Sequence, residues 1–442
     1  MPILSPGYPV KPVGDVPLNA YAHTLLRDLG ASPPREAAVG DHPARLWAES
    51  GLMALTGAHD RAPCLCPVPL AACADGALNA FRALTATTVF PSATGAALLT
   101  ERAAVNEFRK IGARSPGGHC RLLPSRDGMI GLNVTRDEDW SVLPAWLEAG
   151  EPRDWQRVEK LVKDRTTASL VSRGRLLGLA VVDAKPIPTD PCHWMDIVHR
   201  ANHGPAPARA PRVIDLSSLW AGPLCSNLWQ SAGAEVVKVE SSQRADGARS
   251  GSQAFFKLLN CGKESLVLDL HRPSGQKALR ELLSQADIVL EASRPRALRQ
   301  MGIIAEDLVD EAPNLTWVSI TGYGRQEPQA NWIAYGDDAG VAAGLSAIMH
   351  QVTGEWVICG DAIADPLTGL HAALAGWAGW LAGGGRLIAL SLEQTVRHCI
   401  TATAPAGNDY RDRQAQWQRY LLEHDILPSP PRRQREIPLS AR

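Results

Sequence analysis

Short apolar runs alternate with longer amphipathic stretches over the second half of the chain. This alternation is typical of βαβ units, which assemble into a parallel sheet. The runs are nearly continuous in apolar residues, as expected of strands that helices cover on both faces. The predicted strands are residues 213–216, 236–240, 265–269, 288–291 and 315–320. We therefore predict an α/β fold in which a large domain contains a Rossmann-like parallel sheet.

The first half of the chain is patterned differently, and a proline-rich stretch separates the two halves. Three prolines lie between positions 205 and 211, which interrupts regular structure. Further upstream, a glycine-rich loop leads into a hairpin pattern at 114–134, and we predict a smaller α/β domain around it. The predicted divisions are a helical N-terminal segment (1–100), the small domain with its glycine-rich loop (101–198), a linker (199–211), the sheet domain (212–400) and an Arg/Pro-rich tail (401–442).

Charge and composition exclude several classes of protein. The 45 Lys and Arg residues nearly cancel the 46 Asp and Glu residues, so the chain has no broad basic field for a nucleic acid or an anionic membrane. The most apolar stretch, 367–382, is shorter than the ~20 residues that span a bilayer and predicts a buried helix. The N-terminus lacks the pattern of a signal peptide, which favours a cytoplasmic protein. Nine cysteines without a CxxC pair predict neither a disulfide framework nor a metal site.

The loops after the predicted strands are the candidate ligand site, because α/β sheets bind ligands beyond the carboxyl ends of their strands. The first βαβ unit has the outline of a dinucleotide site and ends in Glu240. Its turn contains one glycine, Gly222, where a pyrophosphate-binding turn needs three. A ligand other than NAD is therefore favoured. Groups in these loops that suit an anion are the side chains of Arg244, Arg249, Arg294 and Arg296 and the backbone of Gly322 and Gly324.

Asp365 stands directly before Pro366 and a long helical pattern. This order predicts an N-cap at Asp365 with proline in the first helical position. Capping alone would account for the residue. A carboxylate that is not consumed by capping can instead act as a nucleophile, and the helix dipole favours its anion. The local pattern leaves both roles open.

Several motifs occur in order between residues 212 and 395: Leu219-Trp-Ala-Gly-Pro, Gly233-Ala-Glu-Val-Val-Lys-Val-Glu, Asn260-Cys-Gly-Lys-Glu-Ser, Arg294-Pro-Arg-Ala-Leu-Arg-Gln-Met-Gly, Thr321-Gly-Tyr-Gly and Asp365-Pro-Leu-Thr-Gly-Leu-His. As an ordered set they resemble the class III coenzyme A transferases, which include formyl-CoA and carnitine CoA transferases and have α-methylacyl-CoA racemases as relatives. Asp365 matches the catalytic aspartate of that family, because Gly369 follows it by four residues.

The resemblance implies an acyl-CoA:carboxylate CoA-transferase with Asp365 as the residue that forms an aspartyl-CoA thioester. It implies an acyl-CoA and a carboxylic acid as substrates, coenzyme A as the carrier, no metal, and a homodimer. The glycine-rich loop would cover the aspartate, so the N–H groups of Gly117 and Gly118 become candidate donors to the oxyanion. Residues at positions that contact CoA in the family are Ser218, Leu219, Trp220, Ala221, Ser293, Arg294, Pro295, Arg296, Arg299, Met301, Gly322 and Tyr323.

The order of the domains departs from the family pattern. Residues 115–128 and 176–182 resemble the family's small domain, which normally follows the sheet domain and here precedes it. Residues 47–57 and 74–76 resemble fragments of the large domain, which suggests a decayed second copy. Asp75 lacks a glycine four residues later, so it does not match the catalytic motif.

Two alternative functions stay open from the sequence. A racemase would need a second base, a histidine ahead of the catalytic aspartate, but no histidine lies between His271 and His350. CoA transfer is therefore favoured over isomerisation. A non-catalytic acyl-CoA-binding protein is the other alternative, because a fold can be retained after its activity is lost.

Overall fold

The chain is described here by a computed structural model, which covers residues 2–10, 18–34, 36–150, 154–184, 187–205 and 208–436. Parts of the predicted N-terminal segment, small domain, linker and tail lie outside these residues. The first elements of the chain are mainly helical. They are β1 (Tyr8–Pro9), α1 (Ala20–Asp28), β2 (Ala31–Ser32), α2 (Pro43–Glu49), α3 (Leu52–Leu55), α4 (Leu70–Thr85), α5 (Gly95–Leu98) and α6 (Glu101–Asn106).

A small antiparallel sheet with helices follows. Its elements are β3 (Cys120–Pro124), β4 (Met129–Asn133), α7 (Asp137–Leu147), α8 (Trp155–Lys163), α9 (Thr167–Leu176) and β5 (Ala180–Asp183). The predicted hairpin is confirmed, since β3 pairs antiparallel with β4. The three helices pack on the sheet around a core of their own that includes Leu132, Leu143 and Val181.

The large domain is built on a mostly parallel sheet. Its elements are β6 (Asp196–Arg200), β7 (Arg212–Asp215), α10 (Ala221–Ser231), β8 (Glu235–Ser241), α11 (Gln253–Asn260), β9 (Glu264–Leu268), α12 (Pro273–Ser284), β10 (Ile288–Glu291), α13 (Pro295–Arg299), α14 (Ala305–Glu311), β11 (Thr316–Thr321), α15 (Gly336–Ala342), α16 (Leu345–Thr353), α17 (Ala364–Leu381), β12 (Arg386–Ser391), α18 (Leu392–Ala402) and α19 (Tyr410–Glu423). The α/β fold that the sequence predicts is confirmed.

Seven strands form this sheet in the order β6-β12-β11-β10-β7-β8-β9. All neighbours are parallel except β6, which pairs antiparallel with β12 at the edge. Counted from β7 as the first strand, the parallel part has the order 3-2-1-4-5-6 of a doubly wound sheet. The order in which successive strands are added reverses between β7 and β10, and this switch point is where such sheets bind ligands.

The N-terminal segment and the large sheet share one hydrophobic core. Helix α4 packs directly against α17, and residues such as Phe81 and Trp377 belong to the same buried cluster. The rings of Phe81 and Trp377 meet edge to face with centroids 5.9 Å apart. Helix α17 is buried along nearly its whole length, which confirms the buried helix predicted there. Within the described ranges, no helix combines the length and apolar character that crossing a membrane requires.

The segment after residue 401, which the sequence marks only as an Arg/Pro-rich tail, contains a packed helix. Helix α19 places Tyr410, Trp417 and Leu421 in the main core. Further on, Arg435 is buried and forms an ion pair with Glu101. The apolar side of α19 and this buried arginine therefore fasten the C-terminal segment to the N-terminal helices.

Candidate active site

Asp365 lies in the first turn of α17, at the edge of the sheet where the parallel strands end. The predicted N-cap at Asp365 is wrong, because the cap is Ile363 and the helix begins at Ala364. The preceding turn starts the helix early, since the N–H of Asp365 already donates to the carbonyl of Ala362 at 2.9 Å. The side chain of Asp365 is thus not consumed by capping its own helix. It remains partly exposed, whereas the residues around it are buried.

The carboxyl group of Asp365 is held against the start of α15. A Cβ added to Gly336 would lie 2.7 Å from Asp365 Oδ2 and 2.4 Å from the carbonyl oxygen of Ala362, so only glycine fits there. The nearby N–H of Gly336 favours the charged form of the carboxyl group and lowers its pKa. Burial raises the pKa of Asp365 to about 7, against the opposing effect of Arg102. The group is therefore poised between its neutral and charged forms near neutral pH, as is common for reacting side chains.

Arg102 in α6 supplies the positive charge of this site. Its Nε and Nη2 donate to the two oxygens of Asp361 at 2.8 and 2.6 Å, a paired geometry that suits guanidinium and carboxylate. The guanidinium carbon lies 5.4 Å from the ring centre of Trp220 and 5.7 Å from that of Phe108. Sequence reasoning missed this residue, because it lies outside the motifs and its partner is 259 positions away.

Two further aspartates of α15 complete the acidic cluster. Asp337 accepts from the N–H of Ala362 at 2.7 Å, and the nearby hydroxyl of Ser115 favours its charged form and lowers its pKa. Burial and the neighbouring Asp361 raise the pKa of Asp337 to about 6. Asp338 accepts from the side-chain amide of Asn133 at 3.0 Å, and burial raises its pKa to about 7. The small domain thus contacts the cluster through Ser115 and Asn133.

The glycine-rich loop lies beside this cluster, as the sequence predicts. A Cβ added to Gly117 would be 3.5 Å from Nη2 of Arg102. The two candidate oxyanion donors are not equivalent, however. Gly118 has a left-handed backbone (φ +82°), and its N–H already donates to the carbonyl of Ser115 at 2.8 Å. This turn removes the Gly118 N–H as an oxyanion donor in the observed conformation, a correction to the prediction, and Gly117 stays a candidate.

The turn after β7 carries the first group of predicted CoA contacts, at the switch point of the sheet. Ser218 and Leu219 are exposed. Leu219 adopts a left-handed conformation (φ +70°), and its N–H donates a hydrogen bond to the carboxylate of Asp246 at 2.9 Å. Trp220 is buried against Phe255. Ala221 is the first residue of α10, so its side chain is part of the helix start.

A buried ion pair fixes that turn. Lys263 lies 3.3 Å from Asp215 at the end of β7 and also donates to the hydroxyl of Ser226 at 2.8 Å. Burial would raise the pKa of Asp215, but Lys263 and Lys238 favour its charged form and lower the value to about 2. Lys263, the lysine of the Asn260-Cys-Gly-Lys motif, therefore fixes the turn through its contacts with Asp215 and Ser226.

The segment after β10 divides into residues that face a cavity and residues that do not. A cavity of about 630 Å³ between the small domain and the sheet is lined by Arg294 and Arg296, and by Arg175 and Trp332. The guanidinium carbon of Arg175 lies 3.7 Å from the ring centre of Trp332. Burial and the nearby positive charges of Arg296, Arg244 and Arg136 lower the pKa of Arg294. Three arginines and one carboxylate, Asp183, line the cavity, so its wall carries a net positive charge that suits an anion.

The remaining predicted contacts have other surroundings. Ser293 donates to Glu291 at 3.4 Å, and Pro295 is buried. Arg299 is paired with Glu306 on the exterior at 3.1 Å, and Met301 packs against the core. Arg249, one of the arginines that the sequence offered for an anion, is paired with Glu240 at 2.5 Å. These ion pairs already satisfy Arg249 and Arg299, so neither is poised for a phosphate in this conformation.

Gly322 and Tyr323 follow β11 at the same edge of the sheet. A Cβ added to Gly322 would lie 2.6 Å from Cβ of Ala334, so this glycine permits the close approach of the next loop. The hydroxyl of Tyr323 donates to Asp338 at 3.3 Å. The ring of Tyr323 meets that of Trp332 edge to face at 5.6 Å. Tyr323 therefore connects the arginine-lined cavity to the acidic cluster around Asp365.

The sheet domain is similar to one family of known proteins. Residues 210–420 match the family described as CoA-transferase family III. A succinyl-CoA:glutarate CoA-transferase from Mus musculus is 32% identical over 209 residues, which cover 45% of this chain and 48% of the relative. A formyl-CoA:oxalate CoA-transferase from Escherichia coli O6:H1 is 27% identical over 201 residues, which cover 43% and 48%.

A solved structure, that of Rv3272 from Mycobacterium tuberculosis, is 28% identical and has a TM-score of 0.41, with 46% of this chain and 57% of that chain covered. The chain thus spans about half the length of the relatives that it matches.

Proposed function

Residues 210–420 match the family described as CoA-transferase family III, and on this similarity we propose that the chain is an acyl-CoA:carboxylate CoA-transferase that reacts through Asp365. The observation that carries the proposal is the state of this carboxyl group. It is partly exposed at the start of a buried helix, and its pKa is raised to about 7. A carboxylate that is partly desolvated yet ionisable near neutral pH suits nucleophilic attack.

In the proposed reaction, the Asp365 carboxylate attacks the thioester carbonyl of the donor acyl-CoA and expels the CoA thiolate, which leaves a mixed anhydride. The thiolate then attacks the aspartyl carbonyl, releases the donor carboxylate and forms an aspartyl-CoA thioester. The acceptor carboxylate attacks this thioester and expels the thiolate again. Finally the thiolate attacks the acceptor's carbonyl in the second anhydride, which yields the new acyl-CoA and free Asp365. Covalent catalysis of this kind divides one difficult step into easier ones.

The residues around Asp365 have complementary roles in this proposal. The N–H of Gly117 is the remaining loop donor for the oxyanion of each tetrahedral intermediate. The small domain covers the aspartate and limits the access of water, which would hydrolyse the anhydride. The phosphates of CoA lie against Arg294 and Arg296 in the cavity between the domains. The chain would act in the cytoplasm as a homodimer, and its oligomeric state is measurable by light scattering.

The proposal is tested by turnover with two substrate pairs suggested by the relatives, succinyl-CoA with glutarate and formyl-CoA with oxalate. We expect transfer by the wild type with at least one pair, and its loss in Asp365→Ala. Asp75→Asn is the matched control, because burial also raises the pKa of Asp75, to about 6, while Asp75 lies outside the site. Stabilisation of the wild type by CoA without any turnover would contradict the proposal and favour an acyl-CoA-binding protein.

A further inference from the structure

The cation of the candidate site comes from a part of the chain that the family match does not include. The match begins at residue 210, whereas Arg102 belongs to α6. Its guanidinium forms the paired contact with Asp361 already described, and the side chain of Asp361 is completely buried. The Arg102 side chain keeps 26% of its surface exposed. The arginine is therefore fixed on one side and open to the site on the other.

The geometry around Arg102 directs it toward Asp365. Asp361 and Asp365 lie on either side of the turn that begins α17, so the ion pair places positive charge next to that turn. The glycine-rich loop borders this ion pair, since a Cβ added to Gly117 would lie 3.5 Å from Nη2 of Arg102, one of the two nitrogens that bind Asp361. Arg102 thus occupies the space between the loop, Trp220 and the carboxylate cluster.

The charges that face Asp365 come from three elements. The turn before α17 contributes Asp361, helix α15 contributes Asp337, and helix α6 contributes Arg102. Without the arginine, three carboxyl groups would share a buried site, and repulsion would favour their protonated forms. A protonated Asp365 is not a nucleophile. One positive charge at this place consequently decides how much of Asp365 is reactive.

Helix α6 is itself anchored, which keeps Arg102 in place. Glu101, the residue before Arg102, forms a buried ion pair with Arg435, and Arg435 also donates to the side chain of Asn227 at 2.6 Å. The guanidinium of Arg435 lies 4.3 Å from the ring centre of Phe90. The C-terminal segment and α10 therefore hold the start of α6 against the sheet domain.

We propose that Arg102 is a positioning residue that keeps the Asp365 carboxylate in its charged, reactive form. This inference rests on the proposed function, because it assigns the reaction to Asp365. It gives the N-terminal segment a role in catalysis: that segment supplies the counter-charge for a nucleophile located in the family-matching domain. Arg102 lowers the pKa of Asp365, whereas Asp337 and Asp361 raise it.

The test compares pH–rate profiles of wild type, Asp361→Asn, Arg102→Gln and the double variant with both changes. The double variant replaces an ion pair with two amides, which avoids leaving a buried charge unpaired. The activity increases with pH as Asp365 ionises. We expect the midpoint to fall in Asp361→Asn and to rise by about one pH unit or more in Arg102→Gln. The midpoint of the double variant should be higher than that of the wild type, because Arg102 affects the pKa of Asp365 more strongly than Asp361 does.

The matched control is Arg61→Gln, which removes an exposed arginine paired with Glu355 at 3.3 Å and should leave the midpoint unchanged. Thermal unfolding checks that each variant is folded. A midpoint that is equal in the wild type and in the folded double variant would overturn the inference. If the wild type transfers no CoA, the proposed function fails separately. The pKa of Asp365 is then measured by NMR with ¹³C-labelled aspartate. A pKa that is lower in Asp361→Asn and higher in Arg102→Gln and the double variant supports the inference. A pKa that is equal in the wild type and the double variant overturns it.

Discussion

Two opposing effects act on the carboxyl group of Asp365, and their balance determines its reactivity. Burial raises its pKa, whereas Arg102 and the N–H of Gly336 favour the charged form. The resulting value of about 7 leaves a large fraction of the group ionised at neutral pH. A carboxyl group exposed to water would be fully ionised, but it would also be well solvated and a weaker nucleophile. The carboxylate of Asp365 is therefore less ionised than an exposed one, but it is also less solvated.

This balance has a consequence for stability. The folded protein keeps a proton on Asp365 up to about pH 7, whereas the unfolded chain loses it near its ordinary pKa of about 4. Between these values the folded state binds more protons, so this group makes stability decrease as the pH rises. Asp365→Asn should therefore raise the free energy of unfolding by about 4 kcal/mol at about pH 8 and change it little near pH 4.

Urea unfolding at several pH values measures this effect. Asp60→Asn serves as the control, because Asp60 is exposed. A difference between Asp365→Asn and wild type that does not vary with pH would contradict the raised pKa of Asp365.

At the scale of single residues, the sequence identifies the candidate nucleophile, Asp365, but not the arginine that lies near it. Asp365 is recognisable because its helix and its glycine, Gly369, lie next to it in the chain. Arg102 is brought to the site only by the packing of α6 on the sheet domain. Nothing in its local sequence distinguishes it from other surface arginines of a helix, so no local pattern could have identified it.

At the scale of elements, two pairs of helices repeat one packing arrangement. A Cβ added to Gly76 in α4 would lie 2.7 Å from the Oδ1 of Asn19, which caps α1. A Cβ added to Gly369 in α17 would lie 2.6 Å from the carbonyl oxygen of Ala221 at the start of α10. On this parallel we propose that residues 1–100 are a decayed copy of the large domain. Ala72 precedes Gly76 by four residues, so the copy lacks the carboxyl group.

The strands show where sequence patterns fail. All five strands predicted between 213 and 320 are present, with small differences at their ends. Strand β12 was not predicted, because its apolar run continues without a break into α18 and a short run of this kind fits a helix equally well. Strand β6 was missed because it is an edge strand with alternating exposure. It was assigned in part to the linker at 199–211.

The C-terminal segment gives a prediction about stability. Arg435→Met would leave Glu101 buried without its partner, which costs about 3–5 kcal/mol for a buried pair. Arg433→Met is the matched control, because Arg433 is exposed two positions earlier. Urea unfolding should show a lower midpoint for the first variant and an unchanged midpoint for the second. Equal stability of the two variants would mean that the Arg435 contact does not fasten the segment in solution.

At the scale of the whole molecule, the small domain lies over the carboxyl edge of the large sheet although it precedes that sheet in the chain. Cys120 and Val182 of the small domain pack with Val341 and Ile358 in one cluster. This interface brings the glycine-rich loop to the acidic cluster and encloses the arginine-lined cavity. The groups of the candidate site thus come together within one chain, with the small domain ahead of the sheet domain.

If CoA binds as proposed, its phosphates contact Arg294 and Arg296 in the cavity between the domains. Arg294→Gln together with Arg296→Gln should weaken binding of CoA about tenfold or more, and should weaken 3′-dephospho-CoA less, because one phosphate is absent. Arg299→Gln is the control, since Arg299 is paired with Glu306 on the exterior. Isothermal titration calorimetry measures the affinities of the wild type, the double variant and the control for both ligands. Equal losses for CoA and 3′-dephospho-CoA would place the 3′-phosphate outside this cavity.

The most direct test of the central claim is mass spectrometry of the protein quenched during turnover with an acyl-CoA and an acceptor acid. We expect CoA to be attached through a thioester to the peptide that contains Asp365, and to be absent from Asp365→Asn. An adduct on another residue, or steady turnover without any adduct on Asp365 after rapid quenching, would contradict the assignment of Asp365 as the nucleophile.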